Sequence, residues 1–210
     1  GVALVIGLLA VVATWLFLGP LAAMNFQIWQ AFIAWASFYH CGGKTDGLVK
    51  TVVCMSFGAV VGMLSVMLAG QLGGLGAFAA PVAVGIGAAA IVLAAHIPQL
   101  STIPSCVYGF ASVAGLILLK GLAPMDAIVP TIGSIILGAI FGWLSETIGG
   151  PDIIAASLRR EYALSVALAE VAGEATGGED LAAMVNEVLR RSLHREIALP
   201  ALEGEPEPIG

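Results

Sequence analysis

Asn25, Gln27, Trp29 and Gln30 open one apolar stretch of the chain, and Ser101, Thr102, Pro104 and Ser105 open another. At a spacing of 78 residues Pro20 aligns with Pro98 and Phe32 with Phe110, so the two stretches correspond. Amides, hydroxyls and an indole N–H offer hydrogen bonds without charge. That chemistry suits binding of a small neutral or weakly polar molecule of urea-like or amide-like type. A path for such a solute would be lined by Asn25, Gln27, Gln30, Trp35 and Ser37 from one stretch. Thr102, Ser105, Tyr108 and Ser112 would face them from the other. Paired, proline-punctuated apolar segments at matching positions are a sequence pointer to a permeation site. Two ordinary helices with polar ends at the membrane interface would give the same pattern.

Other reactive side chains are sparse. Asp46 and Asp126 precede two equivalent segments, where a carboxylate caps free N–H groups and suits the positive end of a helix dipole. A pair of ion or proton sites is the functional alternative. His40 and His96 close two segments on one expected face, as interfacial residues or as a pH gate. Cys41, Cys54 and Cys106 have neither metal spacing nor a disulfide framework, and read as small apolar fillers. No nucleophile–base pair, phosphate loop or metal cluster emerges, so an enzyme is not expected, nor a cofactor or bound metal.

These residues must be positioned by membrane elements. A span takes about 20 mostly apolar residues. Six are expected, at about 2–18, 22–40, 49–69, 77–96, 103–120 and 127–147. The opening run could pass for a signal peptide, but it lacks a basic leader and five further apolar segments follow it. The connections between spans are short, which makes neighbours antiparallel. Residues 46–65 and 126–145 also match at 8 of 20 positions, including Asp46/Asp126, Thr51/Thr131, Gly58/Gly138, Gly62/Gly142 and Ser65/Ser145. Three spans per copy is an odd number, so the copies would lie in opposite directions as a 3+3 inverted-topology repeat, with halves of about 1–70 and 77–148. Gly58-xxx-Gly62 and Gly138-xxx-Gly142 are small-xxx-small motifs that let helices pack closely, and a contact near the pseudo-twofold axis is expected of them.

Composition divides the chain in the same place. Only 10% of residues are charged, against about 25% in soluble domains. Residues 1–150 hold just Lys44, Asp46, Lys50, Lys120, Asp126 and Glu146; the other sixteen charges lie in 151–210. The fold class expected is therefore all-α: a six-helix transmembrane domain over 1–150 and an amphipathic helical cytoplasmic tail over 151–210. The tail reads as helices over about 152–172 and from Thr176, with a disordered acidic end. Lys44, Lys50, Arg159 and Arg160 place the second-to-third loop and the tail inside, with both termini cytoplasmic and Lys120 the outward exception. The absence of charge from the middle of any span argues against an ion-coupled carrier. A sequence pI near 4.9 argues against nucleic acid.

Phe32-Ile-Ala-Trp-Ala-Ser-Phe-Tyr39, followed by Gly42-Gly43, resembles the signature of the YcdZ-like inner-membrane proteins, a bacterial family built on a domain of unknown function. The resemblance covers about residues 10–150 and leaves out the tail. It implies a six-span, multi-pass protein of the bacterial inner membrane, and carries no substrate or functional residues. The leading function is a channel or facilitator for a small neutral solute and its rival a structural subunit; a third is a proton- or metal-linked carrier using His40, His96, Asp46 and Asp126. The protein would contact lipid and join a homo-oligomer or larger membrane complex.

Overall fold

The computed structural model describes residues 2–150 together with Glu187, Arg190 and Arg191. The chain divides into two compact units, Gly1–Gly150 and Pro151–Gly210. The first holds six α-helices: α1 Val2–Leu18, α2 Ile28–His40, α3 Lys44–Gln71, α4 Ala79–Ala94, α5 Ile103–Lys120 and α6 Pro124–Gly149. Short 3-10 turns cover Ala22–Met24, Gly73–Phe78 and Pro98–Leu100, and no strand occurs among the described residues. The expected tail helices over about 152–172 and from Thr176, and the disordered end, lie outside the described residues. Glu187, Arg190 and Arg191 are helical, and hydrogen bonds from Arg190 and then Arg191 hold the Glu187 carboxyl at about 2.

Local chemistry sets the helix ends. α2 stops at Cys41, and Gly42 and Gly43 follow with φ of 93° and 69°, a region that favours glycine. Lys44 continues in that region at φ 56°, and its backbone N–H donates to the Glu146 carboxylate at 2.6 Å. α5 ends on Gly121 at φ 67°. The second and fifth helices share an unusual start. A 3-10 turn at Ala22–Met24 leads to extended Gln27 and then α2; another at Pro98–Leu100 leads to Thr102 and then α5.

That start corrects the second expected span. Residues 22–27 are not α-helical, so only 13 residues remain in α2. At a rise of about 1.5 Å per residue, that is about 20 Å against a hydrocarbon core of about 30 Å. Four helical stretches are long and apolar enough to cross a membrane: Lys44–Gln71, Gly73–Ala94, Ile103–Lys120 and Pro124–Gly149; α1 is apolar but shorter. The outer surface agrees with a membrane protein. Trp15, Phe78, Leu118 and Leu119 are exposed, whereas Gln30, Ser37, Ser105, Ser112 and Thr131 are fully buried.

Glycine governs how the helices cross. A Cβ on Gly58 would strike the Cys106 carbonyl of α5, and one on Gly109 the Met55 carbonyl of α3. A Cβ on Gly138 would strike the Ala31 carbonyl of α2, and one on Gly142 would lie 2.8 Å from the Phe38 ring. The four motif glycines thus seat α3 on α5 and α6 on α2, rather than packing on one another. Contact order gives the directions. Met55 faces Gly109 and Gly62 faces Val113, so α3 and α5 run the same way. Ala31 faces Gly138 and Phe38 faces Gly142, so α2 and α6 do too. α3 also packs on α4 and α6 on α1, and α3 and α6 touch each other. Met55, Ala59, Val113, Leu116 and Ile135 fill the space between α3, α5 and α6.

Candidate functional site

The candidate site is a buried polar seam between α2 and α5, closed on one side by α6. α2 presents Gln30 and Ser37 seven residues apart, with Cys41 at its C-cap four residues on, spacings that keep them on one helix face. α5 runs the opposite way, so Gln30 meets Ser112 and Ser37 meets Ser105. The Gln30 Nε2 donates to the Ser112 carbonyl at 2.9 Å and to Thr131 Oγ1 at 3.2 Å. Ser37 and Ser105 share a hydroxyl–hydroxyl bond of 2.8 Å, and Cys41 Sγ lies 3.2 Å from Ser105 Oγ. Beside this seam Ser145 Oγ accepts from Trp35 Nε1 at 2.9 Å, pairs with Tyr39 OH at 2.5 Å and donates to the Gly142 carbonyl at 2.6 Å.

Some polar capacity is left over. Gln30 Oε1, Ser112 Oγ, Thr51 Oγ1 and Ser56 Oγ are buried without a hydrogen-bond partner. An unpaired buried polar atom costs about 1–3 kcal/mol, so this concentration in one bundle needs a reason. A free amide oxygen and a free hydroxyl flank the Gln30–Ser112 contact. Together they offer one acceptor and one donor–acceptor, which matches a molecule carrying both N–H and C=O groups.

The structure divides the expected lining residues into two groups. Gln30, Ser37, Ser105 and Ser112 come together on the seam, and Trp35 joins the adjoining Ser145 cluster. Tyr108 is half-buried, packs on the apolar core and meets the His40 ring edge-on at 6.4 Å. Asn25, Gln27 and Thr102 sit in the non-helical starts. Asn25 is exposed with φ 59° and its carbonyl accepts from Gln27 Nε2 at 2.7 Å. Gln27 uses its backbone N–H, which donates to Ser134 Oγ at 2.9 Å, while Thr102 stands at the N-cap of α5. Ser134 in turn donates to the carbonyl of Pro130, the proline inside α6.

Asp46 and Asp126 do not cap. The N-cap positions are Gly43 and Ala123, with no side-chain cap bond at either end. Both aspartates lie exposed in the first turn of their helices, where the charge still suits the dipole. His40 and His96 are exposed as well, and no group of three or more His, Cys, Asp or Glu side chains gathers among the described residues. The convergence that a proton- or metal-linked carrier would need from these four residues is therefore missing from the described bundle.

Thr131, Ser145 and Glu146 escaped the sequence reading as site residues. Thr131 and Ser145 carried a signal, since both are identities of the copied segment, paired with Thr51 and Ser65. Glu146 carried none: a glutamate near a helix end reads as a surface residue, yet it is 93% buried against the start of α3, its relative exposure being 7%. No curated protein and no solved structure matches the chain. Residues 3–150 match a family described as protein of unknown function (DUF1097), and the match spans all six helices of the first unit but for one terminal residue. The chain therefore belongs to the DUF1097 family.

Proposed function

We propose that this protein is a membrane facilitator for a small neutral solute with amide-like or urea-like hydrogen bonding, described here with its path closed. The observation that carries the reading is the α2–α5 seam, where Gln30 Oε1 and Ser112 Oγ are buried and unpaired at its polar contact. In a membrane protein such groups are costly unless they serve a passing or bound polar molecule. Gln30, Ser112 and Thr131 form the constriction in this reading; Ser37 and Ser105 form the next step along the seam.

The architecture proposed is six spans in a 3+3 inverted repeat, in a YcdZ-like protein of the bacterial inner membrane with both termini cytoplasmic. Helix pairing supports it. Exchanging α1 with α4, α2 with α5 and α3 with α6 carries α3–α5 onto α6–α2 and α3–α4 onto α6–α1, and returns α3–α6 to itself. The paired 3-10 starts of α2 and α5 add to it, and that start lets the second element extend beyond its 13 helical residues. Homo-oligomerisation, with lipid around the exposed apolar faces, belongs to the same proposal.

A second reading, a structural subunit of a larger membrane complex, is favoured by the backbone-to-backbone crossings at Gly58 and Gly138. Flux into proteoliposomes separates the two. The facilitator reading expects faster entry of a urea-like or amide-like solute than into protein-free liposomes. Rates equal to protein-free liposomes across a panel of small neutral solutes would leave only the structural reading.

A further inference from the structure

Cys54 and Cys106 are both free and fully buried, and they pack together where α3 crosses α5. Their thiols aim at one place. Cys54 Sγ donates to the Gln99 carbonyl at 3.3 Å, and Cys106 Sγ to the Leu100 carbonyl at 3.9 Å. Those adjacent carbonyls belong to the 3-10 turn Pro98–Leu100, and the two cysteines share one buried cluster with Ile91. Above the turn is a cleft of about 410 Å³ lined by Asp46, Val49, Lys50, Val53, Pro98 and Gln99. Gln99 is thus the wall between the cleft and the thiol pair.

We propose that Cys54 and Cys106 form a two-thiolate site for a soft monovalent cation of the copper(I) class, reached from this cleft. The coordination number follows from the surroundings. No third His, Cys, Asp or Glu ligand gathers with the pair among the described residues. Zinc takes four ligands in structural sites and is poorly served by two. Copper(I) favours thiolate ligands, and a two-thiolate set matches its low coordination number. Binding replaces both thiol protons: Cu⁺ joins two thiols to give a bis-thiolate copper(I) anion, and two protons leave to solvent. No electron moves. The anion formed has nearby compensation. Lys50 lies one turn before Cys54 and lines the cleft, and Cys106 is in the first turn of α5, at its positive end. Cys41 bonds instead to Ser105 and is not a ligand in this arrangement.

The test is an anaerobic titration of the full chain in detergent with copper(I) held by a competing bicinchoninate chelator. One copper per chain should transfer to the protein, with ultraviolet thiolate-to-copper absorption. Cys54→Ser and Cys106→Ser should each lose it; Cys41→Ser should keep it. X-ray absorption at the copper edge of the unmutated chain should show two sulfur neighbours per copper, which tests the site without a substitution. No stoichiometric transfer, retention by Cys54→Ser or Cys106→Ser, loss by Cys41→Ser, or a copper without two sulfur neighbours would each overturn the assignment.

Discussion

Ser145 concentrates more buried polar bonding than any residue the sequence singled out. One hydroxyl serves Trp35, Tyr39 and the Gly142 carbonyl, and it is fully buried. Ser145→Ala would leave the Trp35 indole N–H and the Tyr39 hydroxyl without it. The expected cost is about 1–3 kcal/mol, seen as a lower Tm in detergent. An unchanged Tm would mean that both donors find other partners. Individual residues were partly legible. Gln30, Ser37, Ser105 and Ser112 were recognisable because polar side chains in apolar runs are rare enough to ask for a reason. Asn25 and Thr102 looked equivalent to them in the sequence, but backbone geometry puts them in the helix starts. Asp46 looked like a cap because it precedes an apolar run; left-handed backbone at Gly42, Gly43 and Lys44 puts the N-cap three residues earlier, at Gly43.

At the scale of elements the small-xxx-small motifs were legible, but their partners were not. A motif states that something must come close and leaves open which helix does. Gly138 faces the Ala31 backbone, so Gly138→Ala places a methyl group where the α2 carbonyl lies. α2 and α6 would have to separate, and the expected cost is about 1–3 kcal/mol or more. Gly7 of α1 has open space around it, so Gly7→Ala should change stability by no more than about 1 kcal/mol. Unfolding of the two variants in parallel checks the contrast. Equal Tm values would contradict the packing described. Five of the expected spans match α-helices to within a few residues, because apolar length alone defines them. The second does not, because Asn25 takes a left-handed backbone and Gln27 an extended one inside the expected run.

For the whole molecule, the exchange of helix pairs under the proposed twofold was implicit in the copied segment, while the seam it creates required knowing which faces meet. The proposed topology puts Thr45, in the first turn of α3, on the cytoplasmic side and Gly74, in the 3-10 turn before α4, outside. In a cysteine-free background, a membrane-impermeant maleimide should label Gly74→Cys on intact cells and Thr45→Cys only after permeabilisation. Labelling of both from one side would refute alternating spans. The most direct test of the central claim is solute flux through the seam itself. Gln30→Leu fills the constriction with an apolar group and removes both the Nε2 bonds and the free Oε1. In proteoliposomes holding equal amounts of folded protein, the unmutated chain should carry a urea-like solute above the protein-free rate, and Gln30→Leu should fall back toward that rate. Flux by Gln30→Leu equal to that of the unmutated chain would contradict a path between α2 and α5.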